Sequence, residues 1–260
     1  MSVPNLVYIP TKGRTQAQPT WDSFPDDLKA VTLLVCPPEE VEIHERLGRR
    51  AVACDAKGIS AVRQWICENA DTRAAIMCDD DHKWFVRADP EKYNLRPTTS
   101  REVGRLFSDI RSLLVTNPLV GVSRRQHNNA HFPDLVKYVT RQCNVHGVDV
   151  EFLSKHDIRW DILPLMEDFH VTLSVLNLGV RNAMIVDRAW DQTASNAPGG
   201  CSTYRNAELQ EKAARMLRDR WPEYVQLVKK TNKTGWDGMT TRTDVRVSWK
   251  RAYEDGKGAE

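Results

Sequence analysis

No stretch of this 260-residue chain is apolar for long enough to cross a bilayer, which excludes a helical membrane span. Its six cysteines, Cys36, Cys54, Cys67, Cys78, Cys143 and Cys201, show no Cys-x-x-Cys spacing, and four of them fall inside apolar strand or helix patterns. A zinc ribbon or a disulfide scaffold is thereby excluded, and reduced core thiols are expected. An excess of one charge is missing too: 37 Lys and Arg stand against 35 Asp and Glu, a net charge of +2. A uniformly basic coat is ruled out, whereas a local basic groove is compatible with that total. Repeats and low-complexity tracts are absent, so solenoid and fibrous classes drop away. The amino terminus has no basic region, long apolar stretch or cleavage site, so a cytoplasmic setting is expected.

What the chain does contain is the 41% hydrophobic and 28% charged composition of a globular protein, with apolar strands alternating with helical segments. Leu6-Val7-Tyr8-Ile9-Pro10 reads as a first strand, Val31 to Cys36 as a second stopped by Pro37-Pro38, Ala51 to Cys54 as a third and Ala74 to Cys78 as a fourth. Helical segments run from Glu39 to Leu47 and from Gly58 to Ala70, the latter with Ile59, Val62, Trp65 and Ile66 on or near one face. Strands that are apolar along most of their length predict a mostly parallel α/β sheet covered on both faces, with ligands beyond the carboxyl ends of the strands. Ser100 to Val115 reads as an amphipathic helix, and Leu119 to Ser123, Leu135 to Tyr138 and Val148 to Leu153 as strands. Met166-Glu167-Asp168-Phe169-His170 opens a helix-like run over Val171 to Leu178. A helix from about Asn206 to Trp221 begins a helical C-terminal extension, 206–260, packed on a single catalytic domain, 1–205; Glu254 to Glu260 is expected to be disordered.

The densest chemistry lies in Ala74-Ala75-Ile76-Met77-Cys78-Asp79-Asp80-Asp81-His82, an apolar run that stops at three carboxylates. Acids placed so serve as a solvated turn or helix cap, or they hold a divalent cation against a phosphorylated ligand. A cation relieves their mutual repulsion better than turn hydrogen bonds do. Alternate residues of an extended segment point in opposite directions, so Asp79 and Asp81 are the metal-facing pair and Asp80 is assigned to the nucleotide; His82 is read as an exposed turn histidine. In Pro10-Thr11-Lys12-Gly13-Arg14 the glycine lets backbone approach a ligand, and Lys12 and Arg14 offer charge to a diphosphate. Asp55, Gly58 and Arg63 belong to a loop and helix entry able to hold a base or phosphate, although Asp55 also suits a turn cap and Arg63 a surface pair with Asp55 or Glu68. Glu167 and Asp168 suit the first turn of a helix as caps, and His170 suits packing beneath the site.

Taken together, Ile9-Pro10-Thr11-Lys12-Gly13-Arg14, Gly58-Ile59-Ser60-Ala61-Val62-Arg63-Gln64-Trp65-Ile66, Asp79-Asp80-Asp81 and Glu167-Asp168 resemble a GT-A glycosyltransferase, a Rossmann-like fold with a mostly parallel central sheet flanked by helices. More narrowly, over roughly residues 6 to 205, the pattern is similar to the phage glycosyltransferases associated with TET-type DNA oxygenases, to which glycosylation of 5-hydroxymethylcytosine or related hydroxymethyl pyrimidines in DNA is ascribed. The resemblance implies Mg²⁺ or Mn²⁺ at Asp79 and Asp81, and a nucleotide-sugar donor, UDP-linked, contacted by Pro10, Thr11, Gly13, Arg14, Asp55, Gly58, Arg63 and Asp80. It makes Asp168, supported by Glu167, the general base of an inverting transfer. For a phage enzyme the setting is the host cytoplasm.

A DNA acceptor requires cations for phosphates and amides for base edges, which Arg124, Arg125, Gln126, Asn128 and Asn129 supply in one polar loop. Ser202, beside Gly199 and Gly200, adds a polar contact if that loop covers the site, and is a plain surface turn otherwise. Arg205, Lys212, Arg215, Arg218, Arg220, Lys229, Lys230 and Lys233 mix with Trp221, Tyr224 and Trp236 as a DNA surface would, but the interleaved Glu208, Glu211, Asp219 and Glu223 favour a solvated amphipathic helix with core aromatics. Rival functions are transfer to a glycan, protein or small-molecule hydroxyl, a metal-dependent nucleotidyltransferase or nuclease with further acids around two ions, and a DNA-binding module without catalysis.

Overall fold

The computed structural model describes residues 4–192, 206–236 and 239–258, with backbone alone over 232–236 and 239–240. In chain order the elements are β1 (Val7–Pro10), α1 (Pro19–Asp22), α2 (Asp26–Ala30), β2 (Thr32–Cys36), α3 (Pro38–Arg46), β3 (Ala51–Ala53), α4 (Ile59–Asn69), β4 (Ala74–Cys78), β5 (His82–Arg87), β6 (Leu95–Pro97), α5 (Ser100–Leu113) and β7 (Leu119–Arg124). A 3-10 turn over Arg125–His131 leads to β8 (Val136–Tyr138), β9 (Val145–Asp149), α6 (Val150–Lys155), α7 (Glu167–Leu176), β10 (Ala183–Gln192), α8 (Ala207–Arg220), β11 (Val225–Trp236), β12 (Met239–Val247) and α9 (Trp249–Lys257).

Ten strands form one sheet in the order β3-β2-β1-β4-β9-β7-β10-β5-β6, with β8 paired to β10. The pairings run β3, β2, β1, β4, β7, β10 and β6 one way and β9, β5 and β8 the other, so the expected mostly parallel sheet is present, with three reversed strands that make it mixed. Period-two alternation divides each central strand between two cores. Val7, Ile9, Ile76 and Cys78 face Leu28 of α2 and Leu106, Phe107 and Ile110 of α5. Tyr8, Ala75 and Met77 face Ile66 of α4, Trp160, and Val171 and Val175 of α7. Each fully buried aliphatic side chain here contributes about 2 kcal/mol. α5 starts with a capping box, Thr99 accepting from the Glu102 amide while Glu102 accepts from the Thr99 amide, and buries Val103, Leu106, Phe107 and Ile110 at helical spacing.

Several expectations are corrected, and strands appear where none was expected. Val148 to Leu153 is not a strand: β9 ends at Asp149, whose carboxylate caps α6 by accepting from the Phe152 amide at 3.0 Å. The polar stretch after the acids contains β5 and β6, and His82 is 1% exposed, set between the rings of Trp84 and Trp190 at 5.2 and 5.0 Å. The C-terminal segment is not all helical, because Val225-Gln226-Leu227-Val228 alternates with the period of a strand and pairs with β12 as an antiparallel hairpin. The tail from Glu254 is helical to Lys257: Ala252 and Tyr253 anchor α9, and Gly256 lies so close to Asn177 and Gly179 that a Cβ there would sit 2.4 Å from the Gly179 nitrogen. Among the described residues no helix is long and apolar enough to cross a membrane. The described cysteines, Cys36, Cys54, Cys67, Cys78 and Cys143, are free thiols, and Cys201 lies outside the described residues.

A third core joins this C-terminal segment to the sheet domain through α7. Met166, Phe169, Leu173 and Leu176 meet Ala214 and Leu217 of α8, Val225 of β11, Val245 of β12 and Ala252 of α9. α7 thus packs on the sheet with one face and on the C-terminal segment with another, and its first turn carries Glu167 and Asp168.

Candidate active site

The ends of β1, β2, β4, β7 and β10 reach one edge of the sheet. β9 runs the other way, so the residue before it, Asn144, reaches that edge as well. An open cleft of about 1770 Å³ lies over this edge. The acids leave β4 at its floor in a turn that Thr20 of α1 pins from beneath. Its hydroxyl donates to the Asp79 carbonyl at 2.6 Å and accepts from the His82 amide at 2.8 Å, and its own amide donates to the Asp80 carbonyl at 3.2 Å. Asp80 points back under β1, accepting from the Thr11 hydroxyl at 2.6 Å and from Arg14. Burial pushes its carboxyl up to about 6, with Thr11 and Arg14 acting in the opposite direction. Arg14 also reaches Asp81 at 3.1 Å, so one guanidinium spans two neighbouring acids.

Asp79 turns toward the later elements. It accepts from Arg63 at 3.1 Å and from the Asn144 side-chain amide at 2.6 Å. Arg63, 4% exposed, donates its other arm to Glu167 at 2.5 Å and lies over the Trp160 ring. One buried arginine therefore ties the acid turn after β4 to the helix that carries Asp168. The chain enters α7 through Met166 in the left-handed region, φ +62. Asp168 faces the cleft, paired with Arg141 at 3.3 Å, and Arg141 stacks 4.0 Å over the Phe169 ring. His170 is packed beneath, where burial and the nearby Arg220 push it down to about 4; its Nδ1 accepts from the Trp221 indole at 3.2 Å.

The fit of a divalent cation follows from the donor set. Asp79 and Asp81 line the cleft with hard carboxylate oxygens, while among the described residues no three acid, histidine or cysteine side chains converge as a complete metal cage. This suits an ion held by few protein oxygens, with phosphate oxygens and water in the other positions, and does not suit an all-protein calcium or zinc site.

The remaining expected site residues divide into two groups. Pro10, Thr11, Arg14, Asp55, Gly58, Arg63, Asp79, Asp80, Asp81, Arg124, Gln126, Glu167 and Asp168 all border the cleft. Gly13 turns away, its amide donating to Glu40 at 2.8 Å. Arg125 lies over the Phe85 ring and pairs with Asp191, and Asn129 is exposed outside the cleft. Asn128 is no acceptor contact: it is fully buried, its amide nitrogen donating to Ser123 and to the Val186 carbonyl and its oxygen accepting from Arg87 at 2.6 Å. A polar loop is where both roles look alike in sequence. Ser202, with Gly199 and Gly200, lies outside the described residues. Reading the sequence missed Thr20, Asn144, Arg141, Arg242 and Asp244, all at or beneath the cleft. None of them carried a local signal in the sequence; the left-handed backbone of Asn144, φ +61, is visible only in the fold.

No curated protein matches the chain in sequence. Solved structures match its fold. S. aureus TarS 1-349 shares 12% identity at a TM-score of 0.50, over 84% of this chain and 66% of that one. The same protein in complex with UDP-GlcNAc gives 11% and 0.51 over 84% and 67%. Glucosyl-3-phosphoglycerate synthase from Mycobacterium tuberculosis, in complex with Mn²⁺, UDP and phosphoglyceric acid, gives 12% and 0.51 over 94% and 87%. This chain thus spans about two thirds of the TarS fragment and has the GT-A fold. The TET-Associated Glycosyltransferase profile matches residues 6–200, from β1 past the end of β10, and the chain belongs to that family.

Proposed function

We propose that this enzyme moves a sugar from a nucleotide sugar, UDP-linked, to the hydroxyl of 5-hydroxymethylcytosine or a related modified pyrimidine in phage DNA. The observation that carries the reading is the placement of two acid groups on one cleft in a member of this family: Asp79 to Asp81 at the end of β4 and Asp168 at the start of α7. The family's association with TET supports a hydroxymethylated pyrimidine as acceptor. The UDP, UDP-GlcNAc and Mn²⁺ complexes of the fold relatives lend support to the donor and to a divalent cation.

The chemistry asks each residue for one task. Asp168 accepts the proton of the acceptor hydroxyl as that oxygen attacks the anomeric carbon, the bond from that carbon to the diphosphate oxygen breaks, and UDP leaves. Attack opposite the leaving group inverts the anomeric centre. Arg141 keeps the Asp168 carboxylate oriented, and Arg63, by holding Glu167 and Asp79 together, sets the span between base and donor. Arg14 supplies positive charge beside the acids, and a bound divalent cation at Asp79 and Asp81 would supply further charge neutralisation for the departing diphosphate.

The test is incubation with manganese, a panel of sugar nucleotides and hydroxymethylated DNA, followed by mass spectrometry of the released nucleosides. A hexose or pentose added to the modified base is expected, with loss of transfer on chelation and in Asp81→Ala. Transfer only to a glycan, protein or small hydroxylated acceptor would remove DNA from the reading and leave glycosyl transfer standing. Release of a sugar 1-phosphate, with attachment of the nucleotidyl group to the acceptor, would support nucleotidyl transfer instead.

A further inference from the structure

Of the aromatic residues that the sequence sets among the C-terminal cations, Trp221 commits its indole N–H to His170 and Tyr224 is buried, while Trp236 is described by its backbone alone. Among the described residues, three other rings border the cleft: Trp190, Phe169 and Trp249. Trp190 is 1% exposed and lies under Arg124, and Phe169 is 8% exposed and lies under Arg141. Trp249, the first residue of α9, is only partly buried, and among the described residues no cation covers it. It is held from behind. Its ring meets that of Phe169 at 5.7 Å with 36° between the planes, the Ser248 amide before it donates to the Tyr224 carbonyl at 2.9 Å, and Gly256 seats the far end of α9 against Gly179. Met216 of α8 and Val247 of β12, partly buried on the third core, border the cleft as well. The C-terminal segment thus offers the cleft a flat ring in apolar surroundings. Phe169 is the residue after Asp168, and Arg141 touches both, so Phe169 joins Trp249 to the proposed base.

We propose that Trp249 is the stacking platform for the acceptor pyrimidine, which leaves its own strand and lies on the indole beside Asp168. This rests on the DNA acceptor proposed above. Chemistry on a base requires that base outside the helical stack, and extrusion costs it the faces of its neighbours. An indole replaces that contact whatever the flanking sequence, because every base has a π-face. An apolar surround suits an uncharged ring and does not suit a phosphate. Trp249 lies beyond the family-matched residues, so on this reading the C-terminal segment completes the acceptor side of the cleft.

The experiment compares two acceptors, the free nucleoside 5-hydroxymethyl-2′-deoxycytidine and an oligonucleotide carrying one 5-hydroxymethylcytosine. Trp249→Leu, which keeps apolar volume and removes the π-face, is expected to raise KM for both roughly tenfold, with the affinity for UDP at the parent value. Trp249→Phe, which keeps a ring, recovers most of that loss. In the presence of UDP and manganese, adding the nucleoside quenches the tryptophan emission of the parent and not that of Trp249→Phe, a signature that packing against Phe169 alone does not produce. The proposal is overturned if Trp249→Leu with the parent Tm keeps the parent KM, or if the quench persists in Trp249→Phe. It is equally overturned if KM rises for the oligonucleotide alone, which puts the ring on a flanking nucleotide, or if UDP binding falls, which puts it on the donor side. If Trp249→Leu fails to fold, the quench in the parent and in Trp249→Phe decides. A parent enzyme active on hydroxymethylated DNA with none of these shifts sinks this inference alone; a parent that uses only another acceptor sinks it together with the DNA reading.

Discussion

Along the wall of the cleft built by β1 and β4, the carboxylates are held from below: Asp80 by Thr11 and Arg14, Asp79 by Asn144 and by an Arg63 that is 4% exposed, and the turn between them by Thr20. Along the wall built by α7 and the hairpin, Arg141 and Lys230 have about half of their side chains in solvent and reach their acids at 3.3 and 3.0 Å. Removing one partner of a buried pair costs several kcal/mol, whereas exposed pairs contribute about 0 to 1 kcal/mol. The first wall is pre-organised for one small ligand of fixed shape. The second, with its solvent-exposed cations, is the more adjustable of the two and faces the proposed base.

Substitutions can break or sharpen that contrast. The largest effect is expected from Asp168→Asn, which keeps shape and removes the base: transfer should fall about 10³-fold, equivalent to about 4 kcal/mol of barrier, with Tm close to the parent value. A variant that retains the parent kcat would take the α7 wall out of the chemistry. Arg63→Met should show the opposite profile, losing about 3 kcal/mol of stability in denaturant titrations because a cation shared by two acids has gone. A loss below about 1 kcal/mol would put the donor wall in the class of solvated pairs.

His170, under the junction of the two walls, separates them by pH. Its folded value near 4 lies below the unfolded 6.5, so the fold favours the neutral ring and the unfolded chain takes up the proton first on acidification. Stability from this group is present above about pH 6.5 and declines as pH falls toward 4, by about 2 kcal/mol between pH 7 and 5. His170→Gln should flatten that part of the profile in thermal melts; an unchanged slope would assign the acid sensitivity to the other buried histidines. The smallest effect belongs to Arg125→Ala, whose exposed pair with Asp191 should contribute less than about 0.5 kcal/mol and whose loss should leave KM for DNA unaltered. A tenfold rise in KM would return this arginine to the acceptor surface.

The parallel half of the sheet was legible because strands buried on both faces are continuous apolar runs, and the acids at the end of β4 stand out against such a run. β5, β6 and β10 were not, since their alternation is interrupted by charged residues that face solvent or, like Arg87, find partners only in the fold. The individual site residues were legible by type and the network among them was not. Arg63 reads equally as a surface arginine until Trp160 and Glu167 come to cover it, and Asn128 reads as a base contact until Arg87 and Val186 use up its amide. Both depend on partners supplied by distant segments, about which local spacing carries no information.

Those distances also bear on how the enzyme comes into being. Arg14 meets Asp80 across 66 residues, Asn144 meets Asp79 across 65, and Arg63 meets Glu167 across 104. Contacts so remote in sequence form slowly, after closure of large loops. During synthesis β1 through β4 leave the ribosome well before residue 167 exists, so Arg63 spends that interval without the carboxylate that later encloses it. A fragment ending before α7 carries the acids of β4 and Arg63 but neither Glu167 nor Asp168, so the proposed donor site and the proposed base are joined only once α7 has been made.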